Sequence, residues 1–167
     1  MSNFLGKMIK KTATGFVVSS ATALAVSSIS KALHLDDSKV GKILAVGIPM
    51  MTFLAADDPK VSDLLFKESK KKDRKKDKSK KEAEADYFHL FGKDKAQKMN
   101  KAIAEETGTT EDEVNGVMSL FTPFFVDAVA EEDPEDAGAL GKLFKSESED
   151  AKKHSPSLAK MAMKAVF

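Results

Sequence analysis

The chain has 167 residues, a formal net charge of +1, one Tyr, and neither Trp nor Cys. A chain of that length forms one domain or two closely packed small units, because two independent domains would each bury too little apolar surface. The lack of Cys excludes a disulfide framework, a thiolate nucleophile and a Cys-based zinc site, and plentiful Ala, Lys, Glu, Leu and Met with few strand formers predict an all-α fold.

At the amino terminus, Lys7, Lys10 and Lys11 precede a stretch from Thr12 to Ser30 with no charge. Three readings stay open: a secretory signal ending at Ala23-Leu24-Ala25, a membrane span, and an Ala/Ser-rich helix packed on protein. Eight of those nineteen residues are Ser or Thr, which favours the packed helix. Gly15, Ser19, Ala23 and Ser27 recur at every fourth position, a small-residue ridge for close packing within the fold or in a homo-oligomer. The expected location is cytoplasmic, with membrane association and secretion left open.

A repeat follows. Residues 29–58, ISKALHLDDSKVGKILAVGIPMMTFLAADD, align without gaps to residues 103–132, IAEETGTTEDEVNGVMSLFTPFFVDAVAEE. Ile29 meets Ile103, Val40 meets Val114 and Pro49 meets Pro123, while Met50-Met51 corresponds to Phe124-Phe125. In each copy a first helix ends near His34 or Gly108, and a second opens at an N-cap, Asp36 or Thr110. Thr110 and Glu113 have capping-box spacing. Val40, Ile43, Leu44 and Gly47 share one helix face, as do Val114, Val117, Met118 and Phe121, so both faces are expected to be buried. Pro49 and Pro123 predict a kink or a restart. Asp58-Pro59 and Asp133-Pro134 suit the N-cap and first turn of a further helix.

The predicted architecture is therefore a duplicated helical unit, two related multi-helix repeats joined by a basic linker. Residues 1–66 form the first unit with its amino-terminal helix, 67–86 the Lys-rich linker and 87–144 the second unit. Residues 145–167 form a polar connection and a carboxyl-terminal amphipathic helix.

The segment HLFGKDKAQKMNKAIAEETGTTEDEVNGVMSLFTPFFVDAVAEE resembles the YidB-like bacterial family of unknown function. Its members show a Gly-His-x-Phe-Gly-like opening, an Ala-rich helix, a turn of Gly with hydroxyl or acidic residues, and an apolar helix broken by Pro. Phe88, His89, Phe91 and Gly92 approximate the opening, with Phe88 standing where Gly is expected. The resemblance covers roughly residues 20–66 and 87–144. It implies an all-helical duplicated fold and carries no activity to transfer.

Chemistry-bearing patterns are sparse. His34, His89 and His154 are isolated in sequence, and none belongs to an H-E-x-x-H pattern. There is no Gly-rich phosphate loop and no nucleophile elbow. Asp127, Glu131, Glu132, Asp133, Glu135 and Asp136 crowd around a Pro turn, where carboxylates are solvated and lack the coupling that acid-base work requires. No enzyme activity, cofactor or metal is expected.

The stretch KESKKKDRKKDKSKKE, residues 67–82, carries ten Lys or Arg in sixteen positions. Lys70, Lys71, Lys72, Arg74, Lys75 and Lys76 are its candidate contacts for an anionic surface. Nucleic acid, anionic lipid and the protein's own acidic run are candidate partners, beside the plain reading of a solvated mixed-charge linker. Interrupting acids and missing aromatics rank nucleic acid lower. At the carboxyl end, SPSLAKMAMKAVF places Leu158, Met161, Ala162 and Ala165 on one helix side and Lys160 and Lys164 on another. Leu158 and Met161 are anchors for the chain's own fold or for a partner's groove. The leading expectation is a non-enzymatic interaction or assembly protein with a protein partner. A peripheral membrane or envelope-associated protein comes second, and a weak sequence-independent nucleic-acid binder third.

Overall fold

A computed structural model describes residues 3–13, 15–74 and 86–166, and the statements below concern those residues. They form nine helices and one two-stranded hairpin, a mostly all-α fold.

The hairpin is unannounced by the composition. Helix α1 (Asn3–Met8) runs into strand β1 (Ile9–Lys11), which pairs antiparallel with β2 (Phe16–Val18), Ile9 opposite Val18 and Lys11 opposite Phe16. Phe16, Val17 and Val18 are strand formers, and the pairing uses them before the next helix begins. The uncharged stretch is therefore not one helix, and its ridge of small residues is not continuous. Gly15 lies in the hairpin turn, where its carbonyl accepts from the Thr12 N–H. Ser19 is the N-cap of α2 (Ser20–Leu33) and Ala23 faces solvent. Only Thr22, Ala25, Val26, Ile29 and Ser30 of α2 are buried.

Helix ends fall largely where local chemistry dictates. Helix α2 closes at His34 in a left-handed conformation, and α3 (Asp37–Asp57) opens after Asp36. Asp58 accepts from the Lys60 N–H as α4 (Pro59–Arg74) begins. The second half of the chain supplies α5 (Tyr87–Phe91), α6 (Lys93–Thr107), α7 (Glu111–Glu132), α8 (Ala137–His154) and α9 (Pro156–Val166). Gly108 ends α6 at φ 69°, a left-handed backbone open to a residue without Cβ. Thr110 and Glu113 then close the capping box in both directions.

Three local expectations change. Pro49 and Pro123 both sit inside continuous helices, so neither restarts its helix. The Thr52 and Thr122 hydroxyls donate to the carbonyls of Ile48 and Met118, a back-bonding that keeps both hydroxyls satisfied inside the core and favours a local bend. Asp133 does not cap α8. It ends α7 in a left-handed conformation, its N–H spent on the Ala130 carbonyl, and Asp136 caps α8 by accepting from the Ala139 N–H at 2.8 Å. Finally, α4 runs to Arg74, so the first part of the Lys-rich stretch is helix continuous with what precedes it. Buried Val61, Ser62, Leu65 and Ser69 give that helix an inward face at helical spacing.

Helix α3 is the centre of the body, packing against α1, α2, β2 and α4 through α9. Among the described residues it is the one helix long and apolar enough to cross a membrane, yet 67 % of its apolar window is buried within the fold. Its role here is the core helix. Gly47 brings α7 close, since a Cβ there would stand 2.5 Å from the Met118 Sδ. Within the same core, the rings of Phe4, Phe91, Phe125 and Phe144 join α1, α5, α7 and α8. Beside them the buried Glu147 carboxylate accepts from the Phe4 N–H at 3.1 Å, tying α1 to α8.

Candidate interaction site

The polar groups with the largest perturbations serve the fold. Tyr87 is buried, and its hydroxyl donates to the Asn100 Oδ1 at 2.9 Å. The Asn100 Nδ2 in turn donates to the Asn115 Oδ1 at 3.0 Å, so one chain of bonds joins α5, α6 and α7. Burial pushes the Tyr87 phenol well above its ordinary value of 10.0, which keeps it a donor. Tyr87→Phe is expected to cost about 1–2 kcal/mol in urea unfolding, because the Asn100 oxygen would lose its partner inside the fold. The wild type should also lose stability as pH rises above 10, where the unfolded chain releases this proton and the folded chain holds it; Tyr87→Phe should remove that part of the alkaline decline.

Lys39 and Glu113 pair at 2.8 Å between the first turns of α3 and α7. The hydrogen bond from Lys39 chiefly, then the Thr110 N–H, holds the Glu113 carboxyl below its ordinary value of 4.5, and the same bond raises Lys39 above 10.5. Glu113 therefore contributes stability above its unfolded value that is lost as pH falls through its folded one, and Lys39 contributes stability lost as pH rises past 10.5. Lys39→Met should lower stability near neutral pH, with the difference from wild type shrinking in acid below 4.5 and at high salt. A difference in urea midpoint independent of both pH and salt would count against this pairing. At Asp58 burial acts upward, but the bonds from Lys95 at 2.8 Å and from the Lys60 N–H outweigh it and lower the carboxyl.

The histidines occupy separate places. His34 caps α2, His89 lies in the last turn of α5, and the His154 Nε2 lies 2.8 Å from the Gly15 carbonyl oxygen with its ring 5.0 Å from Phe16. No group of three or more His, Asp or Glu side chains that could hold a metal ion occurs among the described residues.

The basic candidates divide. Lys70 lies 5.4 Å over the Phe66 ring and 3.4 Å from the Asp133 carboxylate, so it meets the chain's own acidic run. Lys7 reaches Glu132 in that same run at 3.5 Å. Lys71 is exposed and pairs with Glu68 one turn back. Lys72 and Arg74 fall in the last turn of α4, and Lys75 and Lys76 lie outside the described residues.

The apolar candidates also separate from the basic ones. Helix α9 packs on α3, α6 and α8, with Leu158 and Ala162 buried and Met161 half-buried against the core. Met161 and Lys164 share a cleft with Lys98, Ala102, Glu105 and Glu106 of α6. On α2 and α7 the surface is different. A groove of about 350 Å³ lies between Ser28, Ile29 and Ala32 on α2 and Leu120, Phe124 and Asp127 on α7. Phe124 is 41 % exposed and stacks on Phe121, Leu120 is 37 % exposed, and Leu24, one turn before Ser28, is 79 % exposed. Sequence reasoning missed this patch. Its available signal was the pair Leu120 and Phe124, apolar, four apart and off the Val114, Val117, Met118 and Phe121 stripe. No protein-family profile, curated protein or solved structure matches the chain.

Proposed function

We propose that the chain is a non-enzymatic helical interaction protein, built from two copies of a YidB-like unit, that organises other macromolecules. The carrying observation is the pair of exposed apolar side chains, Leu120 and Phe124, lining the α2/α7 groove, with Leu24 exposed on α2 one turn before Ser28. Large apolar side chains exposed together at a groove mark places where proteins meet.

The duplication has its own support. Helices α2 and α6 both end in left-handed caps, at His34 and Gly108, and α3 and α7 both contain Pro, at 49 and 123. Contacts of α3 with α8 are mirrored by α7 with α4, and those of α3 with α6 by α7 with α2. Lys39 and Glu113 are 74 residues apart, the spacing of Ile29 from Ile103, so their ion pair joins corresponding positions as a two-fold contact does.

A second reading, a grip on anionic lipid or nucleic acid, rests on the exposed Lys67 and Lys71 in the second half of α4. Affinity capture with the full-length protein and with a variant neutralised at Lys70, Lys71, Lys72, Arg74, Lys75 and Lys76 separates the two. Protein, lipid and nucleic acid are all scored at physiological salt. A protein retained by both versions is the expected result, and loss of all bound material in the variant would move the function to the basic stretch.

A further inference from the structure

The hairpin leaves the outer edge of β2 unpaired. The Ser19 N–H donates to the Met8 carbonyl and the Thr12 N–H to the Gly15 carbonyl, both at 2.8 Å, so the bonded pairs of the ladder alternate through Met8/Ser19, Lys10/Val17 and Thr12/Gly15. Ile9 with Val18 and Lys11 with Phe16 are the pairs in between, and the N–H and C=O groups of Phe16 and Val18 therefore point away from β1. Among the described residues no hydrogen bond uses those groups. Beside β2 lies a groove of about 520 Å³, bounded also by Ala23 and Val26 of α2 and by Gly41 and Ala45 of α3. These walls are small and apolar, and Val17, which also lines the groove, is 47 % exposed.

We propose that this edge takes an extended segment of a partner protein as a third strand, with alternate apolar side chains of that segment set into the groove. Phe16 and Val18 offer donors and acceptors two residues apart, the spacing at which another strand's backbone offers its own, and that fixes the occupant's conformation. A helix would not serve, since its backbone groups are spent within it. On an extended segment every second side chain points the same way, and those that enter the groove meet Ala23, Val26, Gly41 and Ala45. Charge sets the flanks. Asp37 and Lys42 line the same groove, both exposed and, among the described residues, outside any ion pair, so they match a segment with an apolar middle and one charge of each sign beside it. None of these residues belongs to the α2/α7 groove, so the site is a second one, independent of the first.

The probe is the capped peptide acetyl-Lys-Val-Thr-Val-Thr-Glu-amide, titrated into the full-length protein and followed by nuclear magnetic resonance and amide hydrogen exchange. Saturable binding with a dissociation constant of about 0.05–1 mM is expected for so short a strand. At saturating peptide the Phe16 and Val18 amide protons should exchange at least about fivefold more slowly, while the Val17 proton, already given to Lys10, should not change. A version of the peptide methylated at its Val and Thr backbone nitrogens cannot donate to β2 and should lose binding. Gly41→Leu should weaken binding at least about fivefold by filling the groove. Its Cβ would stand 3.9 Å from the Val18 Cγ2, an ordinary contact, and a better helix former replaces Gly, so the thermal midpoint should not fall. Absence of saturable binding up to about 2 mM, binding that the methylated peptide retains, or binding without protection at Phe16 and Val18 overturns the proposal. So does a wild-type dimer in sedimentation that protects the same two protons without peptide, since the edge would then pair with a second copy. Failure here strikes the edge assignment alone, and the interaction reading stands or falls with affinity capture.

Discussion

Phe125→Ala is expected to cost about 3–5 kcal/mol of folding stability, the range for deleting a large buried ring that neighbours cannot replace. The ring is fully buried, meets Phe4 edge-on at 5.7 Å, stacks on Phe144 at 6.2 Å and meets Phe91 at 6.4 Å. Those partners come from α1, α8 and α5, so one side chain on α7 holds four elements together. At roughly 2–4 °C per kcal/mol for a chain of this size, the melting temperature should fall by about 10 °C. Urea unfolding followed by circular dichroism measures it. Phe125→Leu, which keeps most of the apolar volume, should lose clearly less, and a loss below about 1 kcal/mol for the Ala variant would show that the cluster can collapse into the space.

Ending the chain after His154 is the second large effect. Leu158 and Ala162 would leave the core, and α3, α6 and α8 would lose the helix that packs on them, with Ala102 losing its neighbour Met161. Each large apolar side chain returned to water costs roughly 1.5–3 kcal/mol, so a total on the order of 3–5 kcal/mol is expected after partial relaxation. The same loss creates a test by addition. The peptide of residues 155–167, supplied in trans, should raise the melting temperature of the shortened chain in a concentration-dependent way. An unchanged unfolding midpoint on truncation would show that α9 rests on the body without anchoring it. Leu158→Ala in the full chain should reproduce part of the effect.

Much of the local structure is legible in the residues. Thr110 and Glu113 specify a capping box through their own side-chain reach, and the structure forms it in both directions. Asp58-Pro59 opens α4 because the carboxylate can satisfy an N–H two residues on while Pro lacks one to satisfy. The stripes Val40, Ile43, Leu44 and Val114, Val117, Met118 are buried, as apolar faces at helical spacing must be in a fold of this size. The hairpin was not legible in the same way. Three-residue strands carry little periodicity, and Ile9–Lys11 needs a partner across a turn before its pairing exists. Asp133 and Asp136 likewise offer two caps of equal chemistry, and only the path of the chain out of α7 chooses between them.

The candidate surfaces follow the same division. The sequence alone determined that the chain is mostly helical, where most of its helices begin and end, and which faces are apolar, because capping, Pro geometry and helical period act within a few residues. It could not determine which apolar face is covered. Leu158 and Phe124 are both large apolar residues on helices, yet one is 8 % exposed and the other 41 %. Lys70 and Asp133 both lie in charge-rich segments, yet they meet across 63 residues of chain. Those outcomes depend on how α4, α7 and α9 pack around α3, and burial is a property of neighbours in space that no local spacing encodes.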